Sequence, residues 1–142
     1  MPFVTPLVGD KLVKISPTKY KISWDKKKAS NFQFAIKQFL KPYWQYDIGV
    51  FEEMRIPKSL LRIDLINFTK RIAVEASGAQ HFEYNKFFHG GSEMNFLGSI
   101  KRDDSKRLWL ERNNFKMIEL VETDIPKLSP EYIMEKFGVD IT

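Results

Sequence analysis

Apolar positions change their spacing several times along the chain, and each change marks an element. Lys11-Leu12-Val13-Lys14-Ile15 and Tyr20-Lys21-Ile22-Ser23-Trp24 alternate polar with apolar, which predicts short strands or an extended segment among Pro2, Pro6 and Pro17. Phe32, Ile36, Phe39 and Leu40 then fall at helical spacing behind Ser30, a good N-cap, and Pro42 is expected to end the helix. Ile48–Phe51 and Met54–Ile56 predict a strand interrupted by Glu52-Glu53, with Pro57-Lys58 as the turn after it. Leu60 to His81 reads as two strands joined at Asn67-Phe68-Thr69-Lys70. In the first, Ile63 and Leu65 should share one face and Arg62, Asp64 and Ile66 the other; in the second, Ile72, Val74 and Ala76 oppose Ala73, Glu75 and Ser77. A loop follows over 82–99, then a helix from Ile100 to Asn113, a strand from Phe115 to Val121 and a short helix over Pro130–Phe137. The expected organisation is an N-terminal arm over 1–29 and one domain over 30–142 with the order α, β, β, β, α, β and a closing helix.

Composition changes this picture in two places. With 142 residues and 43% hydrophobic content, one domain can bury a core without covalent staples. The absence of cysteine excludes disulfides, zinc–thiolate sites and thiol nucleophiles. No apolar run approaches the ~20 residues of a membrane span, and the N-terminus lacks a secretion signal, so no membrane association and a cytoplasmic location are expected. The net charge of +5 is uneven: residues 1–46 carry nine Lys against Asp10 and Asp25 (+7), and the rest carries 14 basic and 16 acidic residues (−2). A basic segment containing Lys26, Lys27 and Lys28 beside a mildly acidic body suits a polyanion-binding surface next to a metal-binding centre.

The chemistry concentrates in the paired strands. Asp64 and Glu75 stand in strand interiors, where charge is normally excluded, and the alternation lets both carboxylates occupy one sheet face. They could equally be strand-end charges paired with Arg62 and Arg71. Two carboxylates are the usual protein contribution to a Mg²⁺ site, and the Ala76 carbonyl offers a further oxygen. Gln80 or His81, just beyond, would orient or polarise an attacking water. Zinc hydrolysis is disfavoured because only His81 and His89 are present, and the phosphate-binding glycine loops and the serine-hydrolase elbow are absent.

Asp64, ten intervening residues and Glu75-Ala76-Ser77-Gly78-Ala79-Gln80-His81 resemble the core of the PD-(D/E)XK nuclease superfamily. The resemblance is to its small phage and bacterial branch related to very-short-patch-repair and homing endonucleases. Lys101-Arg102-Asp103-Asp104-Ser105-Lys106, followed by Trp109-Leu110-Glu111 and the strand Asn114–Leu120, is similar to that branch's second helix and last strand. The likeness spans roughly 30–121. It implies an α/β, restriction-endonuclease-like αβββαβ core, a mixed central sheet flanked by helices, and Mg²⁺-dependent DNA cleavage in which Mn²⁺ would substitute. It further implies Asp64 and Glu75 as metal ligands and Gln33 at the position of a first-helix glutamate. The family lysine would fall at Ser77, which cannot do its work, so Gln80 and His81 are the expected replacements. Lys26, Lys27, Lys28, Arg62, Arg102, Lys106 and Arg107 are expected to contact phosphates, and His89, with Phe87 and Phe88, to touch bases. A homodimer is one way for so small a domain to cut both strands, and a nicking monomer is also compatible. A nucleic-acid-binding module on an inactive nuclease fold and a Holliday-junction resolvase are the alternative readings.

Overall fold

The computed structural model describes residues 3–6, 9, 11–77 and 104–142. Two short strands, β1 (Phe3–Val4) and β2 (Val13–Lys14), form an antiparallel pair at the N-terminus. Helix α1 (Asn31–Trp44) begins where expected: the Ser30 backbone is extended and its Oγ accepts the Gln33 N–H at 3.1 Å. It does not stop at Pro42. The helix runs two residues further, because Ile36, Leu40 and Trp44 lie on one stripe and are all buried, and the Trp44 indole donates to the Ile141 carbonyl at 2.9 Å. The packing of that last turn outweighs the loss of one backbone donor.

The main sheet follows, with β3 (Val50–Arg55), β4 (Arg62–Asn67) and β5 (Ile72–Ala76) as an antiparallel meander. Residues 104–112 form helix α2, and β6 (Lys116–Leu120) then returns parallel to β5, giving the spatial order β3-β4-β5-β6. A 3₁₀ turn over Glu122–Lys127 and helix α3 (Pro130–Phe137) close the chain, with Gly138 as the left-handed C-cap. The fold is thus mixed α/β with a four-stranded mixed sheet and helices on both faces.

Each face has its own core. Ile36, Leu40 and Trp44 of α1 and Ile133 of α3 cover Leu65, Ile72, Val74, Ile118 and Leu120. Trp109 and Leu110 of α2, Phe115, and Val4 and Ile15 of the N-terminal pair cover Phe51, Met54, Ile63, Ile66 and Ala73. At ~1.5–3 kcal/mol for each large side chain removed from water, these two layers are the main source of stability. Two features depart from strict alternation. The predicted break at Glu52-Glu53 is instead one continuous strand in which Glu53 takes φ 52°, and Ile63 and Leu65, expected on one face, pack in different cores. The left-handed residue in β3, opposite the Asp64 position, accompanies this change of phase.

The N-terminal residues lie against the sheet. Glu52 N–H donates to the Tyr20 carbonyl at 3.0 Å and Ile22 N–H to Val50 at 3.3 Å, so this segment covers the open edge of β3. Further back, the Trp109 indole donates to the Thr5 carbonyl at 2.7 Å and Asn113 Oδ1 accepts the Thr5 N–H at 2.9 Å. At the other end of β3, Gly49 at φ 78° approaches Phe68 so closely that a Cβ there would sit 3.1 Å from the Phe68 Cβ.

Candidate functional site

The ladder between β4 and β5 ends at Leu65↔Val74. One residue further, where the next rung would bring Asp64 opposite Glu75, the two side chains take over the backbone's hydrogen bonds. Glu75 Oε2 accepts the Asp64 N–H at 2.8 Å, and Asp64 Oδ2 accepts the Ala76 N–H at 2.8 Å. Each acid therefore caps the other's strand, which accounts for carboxylates at positions where a strand would otherwise bury apolar side chains. Glu75 is 5% exposed and its Oε1 lies 2.8 Å from the Lys106 ammonium, which reaches in from α2. Neither Arg62 nor Arg71 enters this space. Arg62 is exposed, and Arg71 lies over the Phe68 and Phe115 rings.

Electrostatics follow from the crowding. Burial, and then the negative charge of Glu75, push the Asp64 carboxyl up to about 7 from 3.8; the Ala76 N–H and Lys106 pull the other way without cancelling that rise. Among the described residues Asp64 Oδ1 accepts no N–H, and the Asp64 carboxyl instead meets the Glu75 side chain, a hydrogen-bonding contact that adds to the rise. Such an oxygen beside a second carboxylate suits a hard divalent cation, which would also relieve the repulsion that raises Asp64. The donor set here is two acids, since among the described residues no third His, Cys, Asp or Glu joins them in a group able to hold a metal.

Beside this pair stands an acid that sequence reasoning passed over. Glu119 is in register with Glu75 across the parallel β5–β6 pair. Its carboxylate bonds the Arg107 guanidinium and stands 3.5 Å from the Ser77 hydroxyl. The signal was present, since Glu119 is also a charge inside an apolar strand, but the parallel register that sets it beside Glu75 depends on a long crossover. Lys106 and Arg107, expected at phosphates, are thus both engaged with site carboxylates.

Gln33 is buried, as a site residue would be, and its amide donates to Glu53 Oε1 at 2.9 Å. Glu53 in turn occupies the β3 position facing Asp64. Close by, Lys37 and Glu52 form a buried ion pair at 2.8 Å, with side chains 2% and 1% exposed. The lysine run frames this pair: Lys28 lies 3.6 Å from Glu52, the Lys26 carbonyl accepts from Lys37, and Lys27 donates to Asn31 at 2.8 Å. Gln80, His81, His89 and Arg102 lie outside the described residues, as do Phe87 and Phe88.

Among the described residues no helix is long and apolar enough to cross a membrane. No family model, curated protein or solved structure matches the chain.

Proposed function

We propose that this chain is a Mg²⁺-dependent DNA endonuclease with a restriction-endonuclease-like core, cleaving phosphodiester bonds at the Asp64–Glu75 pair. The observation that carries the reading is the mutual capping of two strand carboxylates at the point where β4 and β5 part, with Lys106 held on Glu75. The sequence of elements α1, β3, β4, β5, α2, β6, with two antiparallel pairings and one parallel, supports it at the level of fold.

Asp64 and Glu75 would hold the ion, with the Ala76 carbonyl as a third oxygen. When bound, Mg²⁺ (or Mn²⁺) neutralises phosphate charge and acidifies water at neutral pH. Lys106 supplies the cation that Ser77 cannot: it enters from the helix instead of from the strand, orients Glu75, and leaves an ammonium beside the reacting phosphate. Gln80 and His81 follow β5 directly in sequence and remain the water-positioning residues of this proposal. Gln33 acts at one remove, by fixing Glu53 behind Asp64.

Plasmid DNA incubated with Mg²⁺ tests this directly. Wild type should nick or cut, while Asp64→Asn, Glu75→Gln, and the alanine versions of both should not, and EDTA should abolish the reaction. The ion pair between Lys106 and Glu75 also balances the charge of the pocket without an ion, which favours a second reading: a DNA-binding module on an inactive nuclease fold. Mobility-shifted but uncut DNA under both Mg²⁺ and Mn²⁺ would establish that reading and sink the first. Paired nicks confined to four-way junctions would narrow the enzyme to a resolvase, acting as a homodimer.

A further inference from the structure

The β3–β4 turn and the β2 strand enclose a groove of about 580 Å³ that the acid pair does not use. Four of its lining residues are cationic, Lys14, Lys19, Arg55 and Lys58, and none is acidic. All four side chains are exposed, and among the described residues none makes an ion pair. A fifth cation extends the set towards the acids, because Arg55 pairs with Arg62 in the β3–β4 ladder and Arg62 is two residues from Asp64 on β4.

Two details of this arrangement are unfavourable to the fold on its own. Like charges directly opposite one another in an antiparallel pair repel, so the Arg55↔Arg62 rung costs stability. Lys58 takes φ 60° at the turn, a conformation that glycine or asparagine adopts with less strain, yet the chain places a long cation there. Both costs are offset if a polyanion lies across the turn. The groove also offers the Ser16 and Ser59 hydroxyls and the Tyr20 ring, groups suited to phosphate and sugar.

The geometry points to a binding track for the sugar-phosphate backbone of DNA, running from the groove across Arg55 and Arg62 to the Asp64–Glu75 pair. It rests on the nuclease reading only for its substrate, and assigns the flanking duplex to one side of the cleavage point. At ~3.3 Å of strand rise per residue, Arg62 stands about 7 Å along β4 from Asp64.

The test is the salt dependence of binding to a fluorescein-labelled duplex, read by anisotropy in EDTA so that no cleavage intervenes. Each phosphate contact contributes about −0.9 to the slope of log affinity against log salt. Replacing Lys14, Lys19, Arg55 and Lys58 together by Gln should make the slope shallower by about 3–4 and weaken binding at least about tenfold at low salt. The pair Arg55→Gln/Lys58→Gln should remove about 2 from the slope, whereas Lys116→Gln/Lys127→Gln, which lowers the net charge equally on other elements, should leave it nearly unchanged. Equal effects of the two pairs, no effect of either, or a wild type that binds no DNA would each overturn the track. The two proposals fail separately. Slope loss confined to the groove variants, with no cleavage by wild type in Mg²⁺, ends the nuclease reading and leaves the track standing. Cleavage by wild type with an unchanged slope in the groove variants does the reverse.

Discussion

Asp64→Asn removes one of two crowded carboxylates while keeping a side-chain oxygen for the Ala76 N–H. In the metal-free protein Asp64 titrates at about 7 when folded, against 3.8 as a free side chain. Between those values the folded state keeps a proton that the unfolded state has released, so stability falls as pH rises. The stabilisation is fully present below about pH 3.8 and has been lost above about pH 7. At about 1.4 kcal/mol per pKa unit the displacement is worth at most about 4 kcal/mol. The carboxyl is partly exposed, and solvent screening brings this to about 2–3 kcal/mol. Asparagine never carries the charge. In urea titrations with EDTA, the variant should therefore exceed wild type by about 2–3 kcal/mol near pH 8, a midpoint shift of about 1 M, with the gap closing towards pH 4. Adding Mg²⁺ near pH 8 should stabilise wild type, by about 2.7 kcal/mol at a hundredfold excess over its Kd, and leave the variant unmoved. A gap that is the same at both pH values, or a variant that is weaker under alkaline conditions, would refute the account of why Asp64 is raised.

Two further outcomes follow from the buried charges. Lys106→Gln keeps a hydrogen-bond donor for Glu75 but removes the cation competing for it, so on the proposed reading Mn²⁺ binding followed by electron paramagnetic resonance should tighten several-fold while the proposed DNA cleavage falls about a hundredfold or more. Lys37→Met should destabilise by about 3–5 kcal/mol in thermal or urea unfolding, since it strands Glu52 without its partner, whereas Lys37→Met/Glu52→Leu should recover most of that loss.

Local signals were legible wherever one short stretch decides the structure. The Ser30 cap, the Ile36–Leu40 stripe, the β4–β5 pair and the Pro130–Phe137 helix all come from nearby residues whose periodicity is unambiguous. The misread end of α1 has a different cause: Pro42 is a local breaker, but Trp44 answers to Ile141, far along the chain. The face reversal between Ile63 and Leu65 was likewise hidden, because it accompanies a backbone angle at Glu53 on another strand. At the site, Asp64 and Glu75 stood out as charges in apolar strands. Their mutual capping, the entry of Lys106 from α2, and Glu119 as neighbour of Glu75 depend on the register of β5 against β6, which alternation alone does not encode. Pocket-lining cations were the least legible, because Lys14, Arg55 and Lys58 are dispersed in sequence and meet only through the turn.

The bonds that join the two ends of the chain to its middle also set its folding schedule. Trp109 holds Thr5 across 104 residues, and Trp44 holds Ile141 across 97. Neither core can close until almost all of these residues have left the ribosome, so folding waits for synthesis, which proceeds at ~5–20 residues per second. During that interval β3 emerges after β1, β2 and α1 but before β4, and the already synthesised 20–22 segment is within reach of its open edge. The segment around Tyr20–Ile22 thereby occupies an edge of β3 that would otherwise be free to pair with another chain.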